Sequence, residues 1–342
     1  MAEQPEASAA PGALETRSAP GLLANLVLVV VSTVLALALV EGLLVIVGYE
    51  HSPLAIVAGP GNDAREYNVF EESHFIYDPD LIWRPKRSFS VFNSQGFRGP
   101  ELATPKDPGS LRIFAVGDSN TLGWRGAGGA NWPAYLGERL VDAAPAAVVV
   151  NAGVWGYSSY QGLIRLREVL LVFEPDIVLI SFGANDAHPV SVPDREFVET
   201  SVGGLRLMRA LQSSRIGQLL IAIFDRGGND GGELTARVSL EEYRRNLTDM
   251  IAACAEQGVE VVLLTRPYMG SLNDEVRWKT HAPAYNAATV EVARREGVAA
   301  IDLYSLFKGK DELFADESHF TEEGHRIAAE IVFEDLRPLL RR

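Results

Sequence analysis

Four stretches of the 342-residue chain carry residue types that could move an acyl group. Gly117-Asp118-Ser119-Asn120-Thr121 puts a serine in a tight turn directly after an apolar run. Asn151-Ala152-Gly153-Val154-Trp155-Gly156 follows a second run, and glycine there lets backbone approach a substrate and present an N–H. Gly183-Ala184-Asn185-Asp186 follows a third and offers a side-chain amide. Near the C-terminus, Asp316-Glu317-Ser318-His319 spaces a carboxylate and an imidazole three residues apart, which a turn can bring onto one side. A serine hydroxyl attacks a carbonyl once a base takes its proton, and an imidazole can be that base. In this reading Ser119 is the nucleophile, His319 the base, and Asp316 accepts the other ring N–H, fixing the tautomer and stabilising the imidazolium. The N–H groups of Ser119 and Gly153, with the Asn185 amide, could supply three donors to the oxyanion of a tetrahedral intermediate.

Each block alone also has a structural reading. Gly-Asp-Ser serves as a strand-to-helix turn, Asp118 as a bond to its own backbone, and Asp186 as an organiser of its loop. His325 reads as a packing or surface residue, and His188, close in sequence to Asn185, as a distant reserve. Trp124 and Trp155 could stack on a sugar or acyl chain, or pack in the core.

These blocks need a scaffold that brings them to one place. From residue 109 onward, buried-type apolar runs alternate with amphipathic helical stretches, the pattern of an α/β domain with a parallel sheet. The expected strands are Leu111–Val116, Ala147–Asn151, Asp176–Phe182, Val259–Thr265 and Val298–Asp302. In such sheets ligands bind beyond the carboxyl ends of the strands, where the first three blocks lie. Ser158-x-x-Gln161 reads as a capping box opening a helix that buries Leu163, Leu166, Leu170 and Phe173 and stops at Pro175. Ser239-x-x-Glu242 reads likewise, with Tyr243, Leu247, Met250 and Cys254 inward. A last helix from about Thr321 is expected to bury Ile327, Ile331 and Val332. Residues 187–238 form an insertion that the alternation does not require, read as extra helices on the sheet edge or as a lid. Its Gly227–Gly232 loop lacks the spaced ligands of an EF-hand.

The regions before the domain differ in kind. Residues 50–108 are rich in Pro, Gly, Asn and aromatics and read as an irregular extension with short strands. Residues 22–49 are almost wholly apolar, with Glu41 the one charge, and Leu22–Val40 alone would cover the roughly 30 Å of a bilayer core. This predicts a transmembrane helix, a signal anchor; a signal peptide cleaved after Ala36-Leu37-Ala38 is the rival. The expected orientation is a short cytoplasmic tail, residues 1–21 and disordered, with an exported C-terminal domain. With 31 Lys+Arg against 45 Asp+Glu the net charge is −14, and no basic run exists to neutralise phosphates, so nucleic acid is not an expected partner. One cysteine, Cys254, excludes an intrachain disulfide framework.

Taken jointly, the four blocks resemble those of the SGNH (GDSL-type) hydrolases, matched here by Ser119, Gly153, Asn185 and His319 over about residues 110–336. The resemblance implies a flavodoxin-like three-layer α/β/α fold with a five-stranded parallel sheet of order 2-1-3-4-5. It also implies a Ser119–Asp316–His319 triad and esterase or acyl-transfer chemistry without a cofactor. Asn120 departs from the leucine of the family's alternative name, at a position that does no chemistry there. Asn93–Glu101 is similar to the segment before the serine block in membrane-anchored bacterial members. The resemblance points to no particular substrate; an exported, anchored enzyme meets envelope polysaccharides, so an acylated carbohydrate is the expected substrate class, with a lipid or lysophospholipid second on account of the apolar insertion. Two rivals stay open: a metal-dependent phosphoesterase using Asp118, Asn185, Asp186 and His319, and a non-catalytic polysaccharide-binding or assembly protein.

Overall fold

A computed structural model of the chain describes residues 21–50, 75–88, 91–123, 129, 131–190, 192–224, 234–270 and 282–340. The N-terminal tail before residue 21, residues 51–74 of the extension, Trp124 and the Gly227–Gly232 loop lie outside the described residues. The chain divides into two units, residues 1–49 and 50–342. The first contains α1 (Leu22–Ile46), 25 residues long. At 1.5 Å per residue it measures about 37 Å, enough to cross a bilayer. It is the one helix among the described residues long and apolar enough to do so, and a signal sequence would look the same.

In the second unit the chain runs through β1 (Phe75–Asp78), β2 (Ile82–Pro85), β3 (Leu111–Gly117), α2 (Ser119–Leu122), α3 (Trp132–Ala143), β4 (Ala147–Asn151), α4 (Ser159–Arg165) and β5 (Ile177–Ser181). It continues through β6 (Pro189–Val190), α5 (Asp194–Gln212), α6 (Arg215–Phe224), β7 (Thr235–Ala236), α7 (Leu240–Ala255), β8 (Glu260–Leu264), α8 (Ala282–Glu296), β9 (Ala299–Ile301), α9 (Leu303–Phe307) and α10 (Glu322–Leu340). Five strands form one parallel sheet, ordered β4-β3-β5-β8-β9, which is the 2-1-3-4-5 order expected.

Strand periodicity explains the layers. Successive side chains point to opposite faces, so a strand covered on both sides must be apolar at nearly every position. In β3, Ile113 and Ala115 join Leu136 and Leu140 of α3 and Ala328, Val332 and Leu336 of α10 in one core. Phe114 and Val116 join Leu163 of α4, Leu247 and Met250 of α7 and Val292 of α8 in the other. Val178 and Ile180 against Ile177 and Leu179 repeat the division in β5.

Local details depart from expectation at three points. The helix begun by the Ser158 capping box widens through Leu166–Leu170, tightens through Leu171–Phe173, and ends where Glu174 turns left-handed at φ 51°, one residue before Pro175. At α7 only half the box forms: Ser239 Oγ accepts from the Glu242 N–H at 3.2 Å, while the Glu242 carboxylate pairs with Arg195 at 2.6 Å. The buried face of α10 is Gly324, His325, Ala328, Ala329, Val332 and Leu336, with Ile327 and Ile331 half-buried at its margin. Ala328 and Ala329 share a core with Leu136 and Leu140 of α3, on which α10 packs.

The insertion and the extension are built into one another. α5 packs on β1, and the Tyr77 N–H donates to Gln212 Oε1 at 2.9 Å, so this helix covers the extension's hairpin. Downstream of the hairpin, Phe97 packs edge-on against Phe114 of β3, and the Arg98 N–H donates to the Asn151 carbonyl at the end of β4.

Candidate active site

Ser119 is the first residue of α2, the single turn that leaves the carboxyl end of β3. Asp118 caps this turn by accepting the Asn120 N–H at 2.8 Å. Gly117 is required just before it, since a Cβ there would meet Thr121 and, at 2.6 Å, the Ser181 carbonyl of β5. The Ser119 hydroxyl lies 2.7 Å from His319 Nε2. His319 Nδ1 lies 2.8 and 2.9 Å from the two Asp316 oxygens. With the Nδ1 proton directed at the carboxylate, Nε2 is left to accept from the serine. The three residues meet although 200 positions separate Ser119 from His319.

Asp316 is held by more than the ring. Its Oδ1 also accepts the backbone N–H groups of Ser318 and His319 at 3.1 and 2.9 Å. Burial alone would raise this carboxyl, but the bonds from His319 and the two amides outweigh it and hold the group at about 2, below the ordinary 3.8. A depressed carboxyl stabilises the fold fully above its unfolded value and loses that contribution as pH falls. The melting temperature of the full-length protein should therefore exceed that of Asp316→Asn by a margin that is constant above about pH 4 and shrinks towards pH 2. A margin independent of pH across that window would overturn the pairing.

Two further contacts tie the serine turn to the histidine loop. Asn120 Oδ1 accepts the Phe320 N–H at 3.1 Å, so a position expected to do no chemistry bonds the residue next to His319. Arg266, two residues past the end of β8, places Nε 2.8 and 3.1 Å from the Asp118 oxygens and donates from Nη1 to the Ser318 carbonyl at 2.7 Å. Both charges are buried, with Asp118 at 1% and Arg266 at 2% exposure. Sequence reasoning passed over Arg266, although its place directly after an expected strand marks it for attention.

The donor set differs from expectation at one residue. The Gly153 N–H is taken by Asn151 Oδ1 at 3.0 Å, so it does not face an open site. Gly153 is a packing glycine, since a Cβ would strike the backbone of Thr121 and Leu122. Three residues on, Gly156 has φ +70° and an N–H with no partner among the described residues. Asn185 Nδ2 donates one hydrogen to the Tyr157 carbonyl at 3.0 Å, which sets its amide beside the Tyr157–Ser158 peptide, one peptide past Gly156–Tyr157, and leaves a second hydrogen to give. The Ser119 N–H likewise has no partner among the described residues.

Neighbouring titratable groups have other occupations. Asp186 is fully buried and accepts the N–H groups of Ser159 and Gly183 at 2.9 and 3.0 Å, ordering the Asn185 loop. Asp118 faces Arg266, so neither carboxylate is turned out as a metal ligand would be. Burial pushes His188 down to about 4 and His325 down to about 3, leaving both neutral imidazoles. His325 Nδ1 accepts the Trp132 N–H at 3.2 Å, which makes it a structural acceptor at the start of α3.

The sequence model of the GDSL-like Lipase/Acylhydrolase family matches residues 115–327. An arylesterase of Vibrio mimicus is 34% identical over 77 residues, covering 22% of this chain and 38% of that protein. Thioesterase 1/protease 1/lysophospholipase L1 of Escherichia coli K12 is 38% identical over 74 residues, covering 22% of this chain and 34% of that protein. The chain thus spans little more than a third of the length of the curated relatives it matches. Among solved structures, the lipase/acylhydrolase from Enterococcus faecalis has 25% identity and a TM-score of 0.46, covering 67% of this chain and 96% of that one.

Proposed function

The chain belongs to the GDSL-like lipase/acylhydrolase family, and from that premise we propose that it is a membrane-anchored serine esterase that cleaves, or transfers, an O-acyl group on envelope carbohydrate. The observation that carries the proposal is the continuous hydrogen-bonded line from the Ser119 hydroxyl through the His319 ring to the Asp316 carboxylate, at 2.7 and 2.8 Å. Ser119 Oγ attacks the ester carbonyl as His319 Nε2 takes its proton. The tetrahedral oxyanion is met by the N–H groups of Ser119 and Gly156 and the free hydrogen of the Asn185 amide. His319 returns the proton to the departing alcohol, leaving acyl-Ser119. Water, or the hydroxyl of an acceptor, then attacks the acyl group by the reverse relay and frees the serine.

The two relatives, an arylesterase and a thioesterase/protease/lysophospholipase, support acyl ester chemistry. α1 supports an anchor, since its 25 residues are predominantly apolar and carry one charge, Glu41. An enzyme held there with its hydrolase domain exported meets polymers of the envelope, and that setting favours carbohydrate over soluble metabolites.

The test compares hydrolysis of p-nitrophenyl acetate by the full-length protein and its Asn185→Ala variant. Wild type should turn over, and the variant should lose about 10² to 10³ in kcat with little change in KM, as when one oxyanion donor is removed. Acetate release from an acetylated xylan, set against release of a long acyl chain from a lysophospholipid, assigns the substrate class. No turnover of any ester by wild type would overturn the proposal. Raised KM at constant kcat in the variant would overturn the role of Asn185.

A further inference from the structure

A glycine peptide does not hold its direction unaided, because Gly156 has no Cβ and sits at φ +70°. The turn around it is instead held by its carbonyls, one after another. Trp83 Nε1 donates to the Trp155 carbonyl at 3.2 Å, Arg237 Nη1 to the Gly156 carbonyl at 2.5 Å, and Asn185 Nδ2 to the Tyr157 carbonyl at 3.0 Å. In a trans peptide the C=O and the next N–H point in opposite directions, so each of these bonds aims an N–H the other way. Two of the three N–H groups are already taken: Tyr157 N–H by the Val154 carbonyl at 3.3 Å, and Ser158 N–H by Gln161 Oε1 at 3.1 Å. The third, on Gly156, lies opposite the carbonyl held by Trp83 and is the one without a partner among the described residues.

Trp83 belongs to β2, outside the stretch matched by the family. It is 5% exposed and fixed from several sides. Its own carbonyl accepts the Tyr157 hydroxyl at 2.7 Å, its ring stands edge-on to Tyr157 at 5.7 Å, and the Arg237 guanidinium lies 5.2 Å from the ring centroid. Arg237 is anchored in turn by Asp194 and Gln161, each at 2.6 Å. The indole therefore reaches the turn from a frame that cannot easily swing. A hydrogen bond to a peptide carbonyl also polarises that peptide and makes its N–H a better donor, strengthening the bond it gives by roughly 10–30%.

We propose that Trp83 is a positioning residue of the reaction: its indole N–H, by holding the Trp155 carbonyl, aims the Gly156 N–H at the oxyanion, so that the hairpin preceding the hydrolase domain completes the site. This rests on the reading of Gly156 as an oxyanion donor. It gives the β1–β2 hairpin a chemical task, and it explains why α5 of the insertion packs on that hairpin and steadies it.

The test uses the full-length protein in detergent with two variants. Trp83→Phe keeps an aromatic ring and loses the N–H. Replacing Trp83 by benzothienylalanine, in which sulfur stands for the indole N–H, keeps the shape as well. Both should lower kcat for p-nitrophenyl acetate about tenfold, less than the loss on deleting a donor outright, with KM within about twofold. Both should weaken a trifluoromethyl ketone, which adds to Ser119 to form an oxyanion, by a similar factor, while an unreactive amide analogue binds as to wild type. Wild-type kcat in both variants, or a loss in Trp83→Phe that the isostere restores, would reduce Trp83 to packing and overturn the inference while the esterase reading stands. A wild-type protein that hydrolyses no ester overturns the esterase reading itself, and the inference with it.

Discussion

Ser119→Ala is expected to abolish ester hydrolysis, lowering kcat by about 10⁴ to 10⁶ and leaving only what the donors and binding surface achieve without a nucleophile. The size follows from the mechanism. With no oxygen to acylate there is no covalent intermediate, and His319 has no proton to relay. The fold should survive, because among the described residues the Ser119 side chain bonds only the His319 ring, which is 14% exposed and can bond water instead. A melting temperature within about 2 °C of wild type, measured with kcat on p-nitrophenyl acetate, separates lost chemistry from lost structure. His319→Ala should cost about as much, and the double variant little more than either single one, because the residues act as a unit. Losses that multiplied would mean that Ser119 and His319 serve different steps. Activity retained in Ser119→Ala would remove the acyl-enzyme altogether.

The parallel sheet is legible in the sequence because both its faces are buried: runs such as Val148-Val149-Val150 and Ile177-Val178-Leu179-Ile180 suit little else. Ser119, Asn185 and His319 are legible because chemistry in such folds gathers beyond strand ends. Gly153 and Gly156 show where local pattern stops discriminating. Both are glycines in one turn, and they differ in whether a side chain two residues back folds over to take the amide, as Asn151 does for Gly153. Arg266 and Trp83 mark a harder limit. Their partners lie 148 and 72 positions away, so no spacing within a window could reveal them. The bonding role of Asn120 is out of reach of local pattern for the same reason, since its acceptor matters only once Phe320 arrives from 200 residues downstream.

Arg266 carries the second large expected effect. Arg266→Met should destabilise the protein by about 3 to 5 kcal/mol, because it strands the Asp118 carboxylate in a place where water does not reach. At 1% exposure Asp118 retains the Asn120 N–H but loses its cation, and one neutral donor does not offset the desolvation of a charge. For a domain of this size the melting temperature should drop by on the order of 10 °C. Catalysis should suffer beyond stability, because the same guanidinium ties Asp118, next to the nucleophile, to the Ser318 carbonyl, next to the base. The Ser119–His319 distance depends on how those two loops meet, and small misplacements of reacting groups cost rate steeply. Asp118→Asn in the Arg266→Met background distinguishes the two contributions. Removing the stranded charge should return part of the stability, while kcat stays low because the bond to the Ser318 carbonyl is still missing. Urea melts and kcat on the two single variants and the double one complete the cycle. An Arg266→Met protein within about 1 kcal/mol of wild type would show that Asp118 does not need the arginine, and full recovery of kcat in the double variant would show that charge, not the link between loops, is what the site requires.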